Sequence, residues 1–316
     1  MKTRATAMAP ASVANVAVGF DLLGFSVAAA GDEVTVERTS KPGVEIGDVT
    51  GVVTQVPKDS AKNTATAGLV RLAHDLDLKF GFRVSIKKGI PLGSGMGGSA
   101  ASAVAAIVAA NAVLDKPLTE ADMLSYSLIG EAQASGSYHA DNVAPSFKGG
   151  LTIARVRSID DRPRVELVSL PAIPETYTVL VHPQLILETK TARGVLKADI
   201  HLKSHVEQAA NLAGFIAACY RQDFDLLKRS FADVVIEPQR AHLIPGFHDV
   251  KDSAMKAGSL GCSISGAGPS VFAWVRGREL AEAVEKAMIG AFARAGLESK
   301  SWVSSLTDAP AAKVIA

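Results

Sequence analysis

Apolar and polar residues alternate along several short segments of the chain. Such a period of two residues is typical of β-strands that bury one face, because successive side chains of a strand point to opposite sides. The pattern predicts strands at 3–9, 33–38, 82–87, 151–157, 164–168, 177–183 and 270–277. The last two, YTVLVHP and SVFAWVRG, are predicted to form a strand pair that brackets the second half of the chain.

Other segments repeat apolar residues every three or four positions, which is typical of helices with one buried face. They predict helices at 63–76, 99–114, 119–134, 203–220, 223–231, 247–257 and 278–295. The run from Ala100 to Leu114 is mostly alanine and contains Ser102 and Asn111. It is shorter than the ~20 apolar residues that a membrane span needs, so we interpret it as a buried helix and expect no membrane association.

Strands and helices are intermixed without strict βαβ alternation, which favours an α+β fold. The chain has 316 residues and a hydrophobic content of 48%, enough for two domains of ordinary size. Pro171 and Pro174 mark the most plausible boundary region, near 155–175. We therefore expect an N-terminal domain over 1–160 and a C-terminal domain over 161–316.

Charge and cysteine content limit the classes of function that the chain can have. The 33 basic and 32 acidic residues give a net charge of +1, and nucleic-acid binding usually requires a strong basic excess. We therefore expect no nucleic-acid partner. Cys219 and Cys262 are too few for a disulfide framework, and the N-terminus lacks the apolar core of a signal peptide. Both features favour a cytoplasmic protein.

Residues 91–102, PLGSGMGGSAAS, place a cluster of glycines between a predicted strand and a predicted helix. Free backbone N–H groups at a helix N-terminus bind anions such as phosphate, and glycines let the backbone approach closely. A Walker A loop would need a lysine after the glycines, and none follows. Gly93, Gly95 and Gly98 match a dinucleotide fingerprint, but the preceding strand is polar at alternate positions. A tight structural turn remains a further interpretation.

Three motifs occur in the order found in the GHMP kinases, a family of small-molecule kinases. The glycine loop resembles the central motif, APASVANVAVGFDLLG (9–24) the N-terminal motif, and SISGAGPSVFAWV (263–275) the C-terminal motif. The resemblance implies a ribosomal-S5-like N-terminal domain, a ferredoxin-like C-terminal domain and a homodimer. It also implies that Gly266–Ser270 packs against the active-site loops. Gly98 departs from the family pattern, which more often has serine there, and this puts only a minor phosphate contact in doubt.

Three further segments resemble the branch of this family that phosphorylates L-homoserine with ATP. They are HADNVAPSFKGGLTI (139–153), TKTARGVL (189–196) and EPQRAHLIPGF (237–247). The resemblance implies phosphoryl transfer to the hydroxyl of L-homoserine on the route to threonine. A family kinase acting on another alcohol, such as mevalonate, and a catalytically silent relative are the alternatives. The segment HADN and two arginines, Arg193 in TKTARGVL and Arg240 in EPQRAHLIPGF, favour L-homoserine.

The resemblance also assigns residues to ATP and Mg²⁺. Ser99 and Glu131 match the metal-binding serine and glutamate of the family, and Asn63 and Lys87 match positions that line the base pocket. The phosphate cradle comprises Pro91, Leu92, Gly93, Ser94, Gly95, Met96, Gly97, Gly98, Ser99, Ala100 and Ala101. Without the resemblance, Glu131 could equally be an ordinary surface glutamate.

The substrate's charges indicate the remaining site residues. A carboxylate suits the planar fork of arginine, and Arg193 and Arg240 match the family's carboxylate-binding pair. Asn15 and Asp21 match a substrate-contacting pair, with Asp21 suited to the ammonium. From the residues alone, the arginines could be solvated helix charges, and Asn15 and Asp21 could be turn residues.

The segment HADN contributes three more candidates. The resemblance places His139 and Asp141 beside the substrate and Asn142 near the reacting hydroxyl. A histidine near an aspartate could also be a general base and its orienting partner. The resemblance favours substrate binding instead, because positioning and charge neutralisation can carry most of phosphoryl transfer.

Overall fold

The computed structural model describes residues 2–159 and 162–316. The strands are β1 (Arg4–Ala14), β2 (Leu23–Thr39), β3 (Gly43–Gly51), β4 (Gly81–Lys88), β5 (Leu151–Ile159), β6 (Arg162–Leu170), β7 (Thr176–Pro183), β8 (Gly261–Ile264), β9 (Val271–Arg276), β10 (Ser299–Ser305) and β11 (Lys313–Val314). The helices are α1 (Thr64–Asp75), α2 (Gly98–Asn111), α3 (Glu120–Ser135), α4 (Ala140–Lys148), α5 (Thr189–Gly194), α6 (Leu202–Arg221), α7 (Phe224–Ser230), α8 (Glu237–Arg240), α9 (Phe247–Lys256) and α10 (Arg278–Arg294). A 3₁₀ turn, Ala241–Leu243, follows α8.

The strands form two sheets, and the chain passes from one to the other after β6. In the described residues the first sheet has the order β11-β1-β2-β4-β3, with β5 paired to β2 and β6 paired to β5. The second sheet has the order β10-β7-β9-β8 and is antiparallel throughout. If β7, β8, β9 and β10 are numbered 1 to 4 along the chain, the order in the sheet is 4-1-3-2. Helices connect β7 to β8 and β9 to β10. The α+β class and the ferredoxin-like second half are therefore confirmed.

Helix α2 lies at the centre of the first half. Its alanines and Val104 and Ile107 are buried on every side. A helix that is apolar all round must be enclosed by protein or by lipid. Here β1, β2, α1 and α3 enclose it, which explains why a membrane-like run belongs to a core. None of the described helices is both long and apolar enough to cross a bilayer.

A cluster of aromatic rings joins the two sheets. Phe25 of β2 lies 5.5 Å from Phe272 and 5.4 Å from Trp274 of β9, measured between ring centroids. Phe215 of α6 and Phe231 after α7 pack against the same tryptophan, both at 5.4 Å. The core of the first half thus continues into residues of the second half.

The strand pairing bears on the predicted domain boundary. Residues 160 and 161, between which the predicted domains divide, lie outside the described residues. Strand β6 pairs with β5 from Leu151↔Leu170 to Ile159↔Arg162 and therefore belongs to the first sheet. The sheets favour a boundary between Leu170 and Thr176, which is inside the predicted region of 155–175. The division into two domains itself stays a proposal.

Candidate active site

A cavity of about 580 Å³ lies against the glycine loop and the N-terminus of α2. Other walls come from the link between β1 and β2, the link between β3 and α1, helices α3, α4, α5 and α8, and the turn after β8. Segments from both halves of the chain therefore meet at one site. Most of the residues predicted to belong to the functional site line this cavity.

The glycine loop adopts a backbone that other residues would strain. Gly93, Gly95 and Gly97 have φ values of 60°, 74° and 66°. A Cβ atom on Gly97 would clash with Ser12 Oγ and lie 2.8 Å from Asn142 Oδ1, so the loop is packed as well as strained. Gly97 is also the N-cap of α2, and no side chain of the described residues caps this end. The first N–H groups of α2 are therefore free to receive an anion.

Neighbouring segments fix the glycine loop through its carbonyl groups. Ser270 Oγ donates a hydrogen bond of 2.6 Å to Ser94 O, and Ser265 Oγ donates one of 2.7 Å to Gly95 O. The C-terminal glycine motif therefore packs against the loop, as predicted. With its carbonyls bonded on this side, the loop is held in one conformation.

Glu131 of α3 is buried at the wall of the cavity, and its side chain is only partly satisfied. Its Oε1 lies 3.3 Å from His139 Nδ1, whereas Oε2 is buried without a hydrogen-bond partner in the described part of the chain. A buried unpaired carboxylate oxygen is costly, which indicates that a ligand completes its coordination. Ser99, half-buried at the start of α2, lines the same cavity.

His139 is held between two charged groups. Arg193 Nη2 lies 2.9 Å from His139 Nε2, and a guanidinium can only donate. In the neutral ring Nε2 therefore accepts, and the proton resides on Nδ1 facing Glu131. Burial lowers the pKa of His139, but the hydrogen bond with Glu131 and the charge of Asp141 raise it by more. Both ring nitrogens are occupied, which disfavours the interpretation of His139 as a general base.

Charges of both signs line the cavity next to His139. Arg193 Nη2 lies 2.9 Å from Asp21 Oδ1, and a second arginine, Arg240, is buried beside them. The two guanidinium carbons lie 5.4 and 5.3 Å from the ring centroid of Phe20, which is not among the predicted site residues. Burial, and then the nearby charge of Arg193, lower the pKa of Arg240. A negatively charged group placed here would relieve that repulsion.

Asp141 adds a buried carboxyl to this cluster. Burial raises its pKa to about 7, and the charge of Asp21 adds to the effect. Its Oδ1 has no hydrogen-bond partner among the described residues. The site therefore offers an acidic position that a cation would stabilise.

Asn15 and Asp21 both adopt left-handed backbone conformations, with φ values of 70° and 57°. Asn15 Nδ2 donates to Gly266 O at 2.8 Å, and Asn15 Oδ1 accepts the Asp21 N–H at 3.1 Å. The turn interpretation thus describes the side chain of Asn15 well. Asn15 orients Asp21, whose carboxylate then reaches the cavity.

Asn142 stands at the first turn of α4, close to the glycine loop. Its Oδ1 accepts a hydrogen bond of 2.9 Å from Ser12 Oγ. This contact fixes the orientation of the amide, because the oxygen is committed to Ser12 and the NH₂ group must point the other way. The amide is thereby positioned at the cavity wall, between the loop and the charged cluster.

Comparison with known proteins decides the family. The models described as "GHMP kinases N terminal domain" and "GHMP kinases C terminal" match residues 63–150 and 215–294. Homoserine kinase of Xylella fastidiosa (strain M12) is 49% identical over 312 residues, covering 99% of this chain and 94% of its own. The chain belongs to the GHMP kinase family.

Solved structures agree with this assignment. The crystal structure of homoserine kinase from Cytophaga hutchinsonii has a TM-score of 0.93 and 41% identity, covering 100% of this chain and 98% of its own. L. major mevalonate kinase in complex with R-mevalonate has a TM-score of 0.71 at 14% identity, covering 96% of this chain and 98% of its own. The second similarity shows a shared GHMP kinase fold and no more.

The structure does not bring every predicted GHMP kinase position into the cavity. Ala100 and Ala101 are fully buried in α2 and do not line the cavity, because their side chains point into the core. Lys87 is exposed, and its Nζ lies 2.9 Å from Glu33 Oε1. The next residue, Lys88, lines the cavity instead. The placement of Lys87 in the base pocket is therefore corrected.

The alternation of buried and exposed residues along β4 distinguishes the two lysines. Phe82, Val84 and Ile86 point inward, and a period of two places Lys88 on the same face and Lys87 on the other. Asn63 does line the cavity, but its side chain also caps α1 by accepting the Ala65 N–H at 2.9 Å. A direct contact of Asn63 with a nucleotide base stays a prediction.

Proposed function

We propose that this chain is a homoserine kinase, which transfers the γ-phosphoryl group of ATP to the hydroxyl of L-homoserine and yields O-phospho-L-homoserine and ADP, on the route to threonine. One observation carries the proposal. A single cavity joins an anion-binding helix N-terminus to a cluster that contains both carboxylates and guanidinium groups. Phosphate groups suit the first part, and a zwitterionic amino acid suits the second.

Two sets of residues would hold ATP and Mg²⁺. The free N–H groups at the start of α2 suit the phosphates, and the unpaired Glu131 Oε2 with the Ser99 hydroxyl suits a hard cation. The described residues contain no group of three His, Cys, Asp or Glu side chains that could bind a metal alone. This fits Mg²⁺, which is commonly held by one or two carboxylates together with phosphate oxygens. When bound, Mg²⁺ neutralises charge on the transferring phosphoryl group.

The remaining residues position L-homoserine for attack. We place its carboxylate on Arg193 and Arg240 and its ammonium on Asp21 and Asp141. Asn142 then lies between the amino-acid end and the phosphate end, where its amide can orient the reacting hydroxyl. Because both nitrogens of His139 are engaged, the site is suited to catalysis by positioning and charge neutralisation rather than by a dedicated base.

A coupled ADP-release assay tests the proposed reaction. L-homoserine, mevalonate and no alcohol would be compared at saturating MgATP, and the phosphorylated product would be identified by mass spectrometry. Mevalonate offers a carboxylate and a hydroxyl but no ammonium, so the acidic cluster disfavours it. Turnover of mevalonate above that of L-homoserine would contradict the proposal, and so would ADP release that is independent of any alcohol. The homodimer implied by the family stays a prediction.

Asp21→Asn is expected to raise the KM for L-homoserine tens-fold while the KM for ATP changes little. Asparagine keeps the shape of the side chain and one acceptor oxygen but loses the charge. A hydrogen bond to a charged group is worth roughly 1.5–3 kcal/mol, or about 10- to 150-fold. Steady-state kinetics for both substrates would measure the change.

N-acetyl-homoserine separates the two roles that the structure allows for Asp21. It lacks the ammonium but keeps the carboxylate, so it should be a poor substrate of the wild type and should lose much less than L-homoserine on mutation. An equal loss for both compounds would instead assign Asp21 to the orientation of Arg193, with which it forms an ion pair.

Binding of L-homoserine is expected to release protons near neutral pH. With a pKa of about 7, Asp141 carries its proton in about half of the molecules at pH 7. A nearby ammonium favours the carboxylate and lowers this pKa, so up to about half a proton per site passes to the buffer and affinity rises from pH 6 to 8. Isothermal titration calorimetry should therefore give a more exothermic signal in Tris than in phosphate. 4-Hydroxybutyrate, which has no ammonium, is the control. Equal enthalpies in both buffers would contradict the placement.

A further inference from the structure

A buried charged cluster lies beneath the glycine loop, outside the residues assigned to ATP, Mg²⁺ and L-homoserine. It consists of Asp32 of β2, Lys88 at the end of β4 and Ser102 of α2, which we call the Asp32–Lys88–Ser102 cluster. Asp32 is 0% exposed and Lys88 9%. A fully buried carboxylate and a buried ammonium are expensive to remove from water, even as a pair.

Hydrogen bonds saturate the ammonium group of Lys88. Its Nζ donates to Asp32 Oδ2, to Ser102 Oγ at 2.8 Å and to Gly98 O at 2.9 Å. An ammonium has three N–H donors, and these three partners in the described structure use all of them. Lys88 therefore has no donor left for a phosphate group. Lys88 lines the cavity, and its ammonium is hydrogen-bonded within the cluster.

The carboxylate of Asp32 is satisfied in the same way. Its Oδ1 accepts the N–H groups of Gly89 at 2.9 Å and Ile90 at 3.2 Å, where β4 ends and the chain turns towards the glycine loop. Its Oδ2 also accepts from Ser102 Oγ at 2.6 Å. One carboxylate thus holds both the segment that enters the loop and, through Ser102, the helix that leaves it.

Two of the contacts of Lys88 are with the start of α2, whose free N–H groups would bind the phosphates. Gly98 is the first residue of α2, and Ser102 lies one turn later on the same face of the helix. Gly97 and Gly98 are intrinsically flexible, and within the described chain no side chain caps this end of α2. The cluster therefore links the sheet to the first turn of α2, which carries the free N–H groups.

We propose that Asp32, Lys88 and Ser102 are positioning residues that fix the first turn of α2 so that its N–H groups meet the phosphates of ATP. The proposal rests on the proposed function only in that a nucleotide is the donor; it does not depend on which alcohol is phosphorylated. On this proposal the cluster acts through the helix, because the ammonium of Lys88 is fully hydrogen-bonded within the described structure.

Ser102→Ala is the principal test, because it removes one tie and leaves the ion pair intact. Binding of the fluorescent nucleotide mant-ADP with Mg²⁺ would be measured without any alcohol. We expect its Kd and the KM for MgATP to rise about tenfold, in line with the loss of a hydrogen bond to a charged group, while the KM for L-homoserine stays within about twofold. Lys88→Met with Asp32→Asn, which removes both charges together, should have a larger effect in the same direction.

Two control variants separate positioning from general stability. Ser125→Ala removes another fully buried serine hydroxyl, one that has no partner in the described residues, and Lys87→Met removes the exposed neighbour of Lys88. Both should bind mant-ADP as the wild type does. A Ser102→Ala protein with a lowered Tm but an unchanged Kd for mant-ADP would overturn the inference. Failure of the wild type itself to bind the nucleotide would instead overturn the proposed function.

Discussion

Glu131→Gln is expected to reduce kcat by about 100-fold or more, with a higher requirement for Mg²⁺. Glutamine keeps the size of the side chain and an oxygen that can accept the His139 Nδ1–H bond. It removes the charge at Oε2, which is buried and unpaired in the described structure. Neutralising charge on the transferring group is worth several kcal/mol, which corresponds to this loss of rate. Initial rates across a Mg²⁺ titration at saturating L-homoserine would measure it.

The same experiment has internal controls. Glu120→Gln changes an exposed glutamate of the same helix, paired with Lys148, and should leave kcat unchanged. Ser99→Ala should act in the same direction as Glu131→Gln, and the double variant should lose less than the product of the two single effects, because both residues would serve one metal site. Unchanged kcat and unchanged Mg²⁺ dependence in Glu131→Gln would exclude the assigned role.

Arg193→Ala and Arg240→Ala are each expected to raise the KM for L-homoserine about 10- to 150-fold and to leave the KM for ATP nearly unchanged. Each variant loses a charged hydrogen-bond donor for the substrate carboxylate. Arg240→Ala should also lower the Tm, because Arg240 Nε and Nη1 donate to the carbonyls of Ala192 and Gly266 at 2.9 and 3.1 Å. In the described part of the chain Arg193 donates to the side chains of Asp21 and His139 and to no backbone carbonyl, so the effect of Arg193→Ala should be mainly on kinetics.

Lysine variants and a distant arginine make this prediction specific. Arg193→Lys and Arg240→Lys should not restore full activity, because an ammonium cannot form the two-pronged contact of a guanidinium. Arg276 also pairs with a carboxylate, Glu175, and lies over a phenylalanine ring, but away from the cavity. Arg276→Ala should therefore leave both KM values unchanged. Equal activity of the lysine variants and the wild type would show that the two arginines supply only general positive charge.

Much of the fold could be predicted from the period of the hydrophobic pattern. Each strand and helix predicted in this way is present, with ends displaced by a few residues in most cases. Strand β1 is longer than predicted because Ala9–Ala14 is buried on both faces and does not alternate. Strand β3 was missed because it is mostly exposed and contains three glycines. Helix α4 was missed because it is short and contains Pro145.

The site was less predictable, because its chemistry depends on contacts between distant parts of the chain. Nothing local to Asp21 indicates its ion pair with Arg193, which is 172 residues away. Asp32 and Lys88 did leave a local signal. Each stands on the inward face of a strand whose other inward residues are apolar, Val34 and Val36 in β2 and Val84 and Ile86 in β4. Two charges on the buried faces of neighbouring strands could have been expected to pair.

The aromatic rings around Phe25 limit how the enzyme can open. A hinge motion that swung the two sheets apart would expose Phe25, Phe272 and Trp274 to water at a cost of several kcal/mol. The ring cluster therefore opposes a hinge motion between the two halves. Entry and departure of ligands are then expected to depend on surface segments at the cavity rim. One is the link between β3 and α1, where Val53, Gln55, Val56, Pro57 and Lys62 line the cavity.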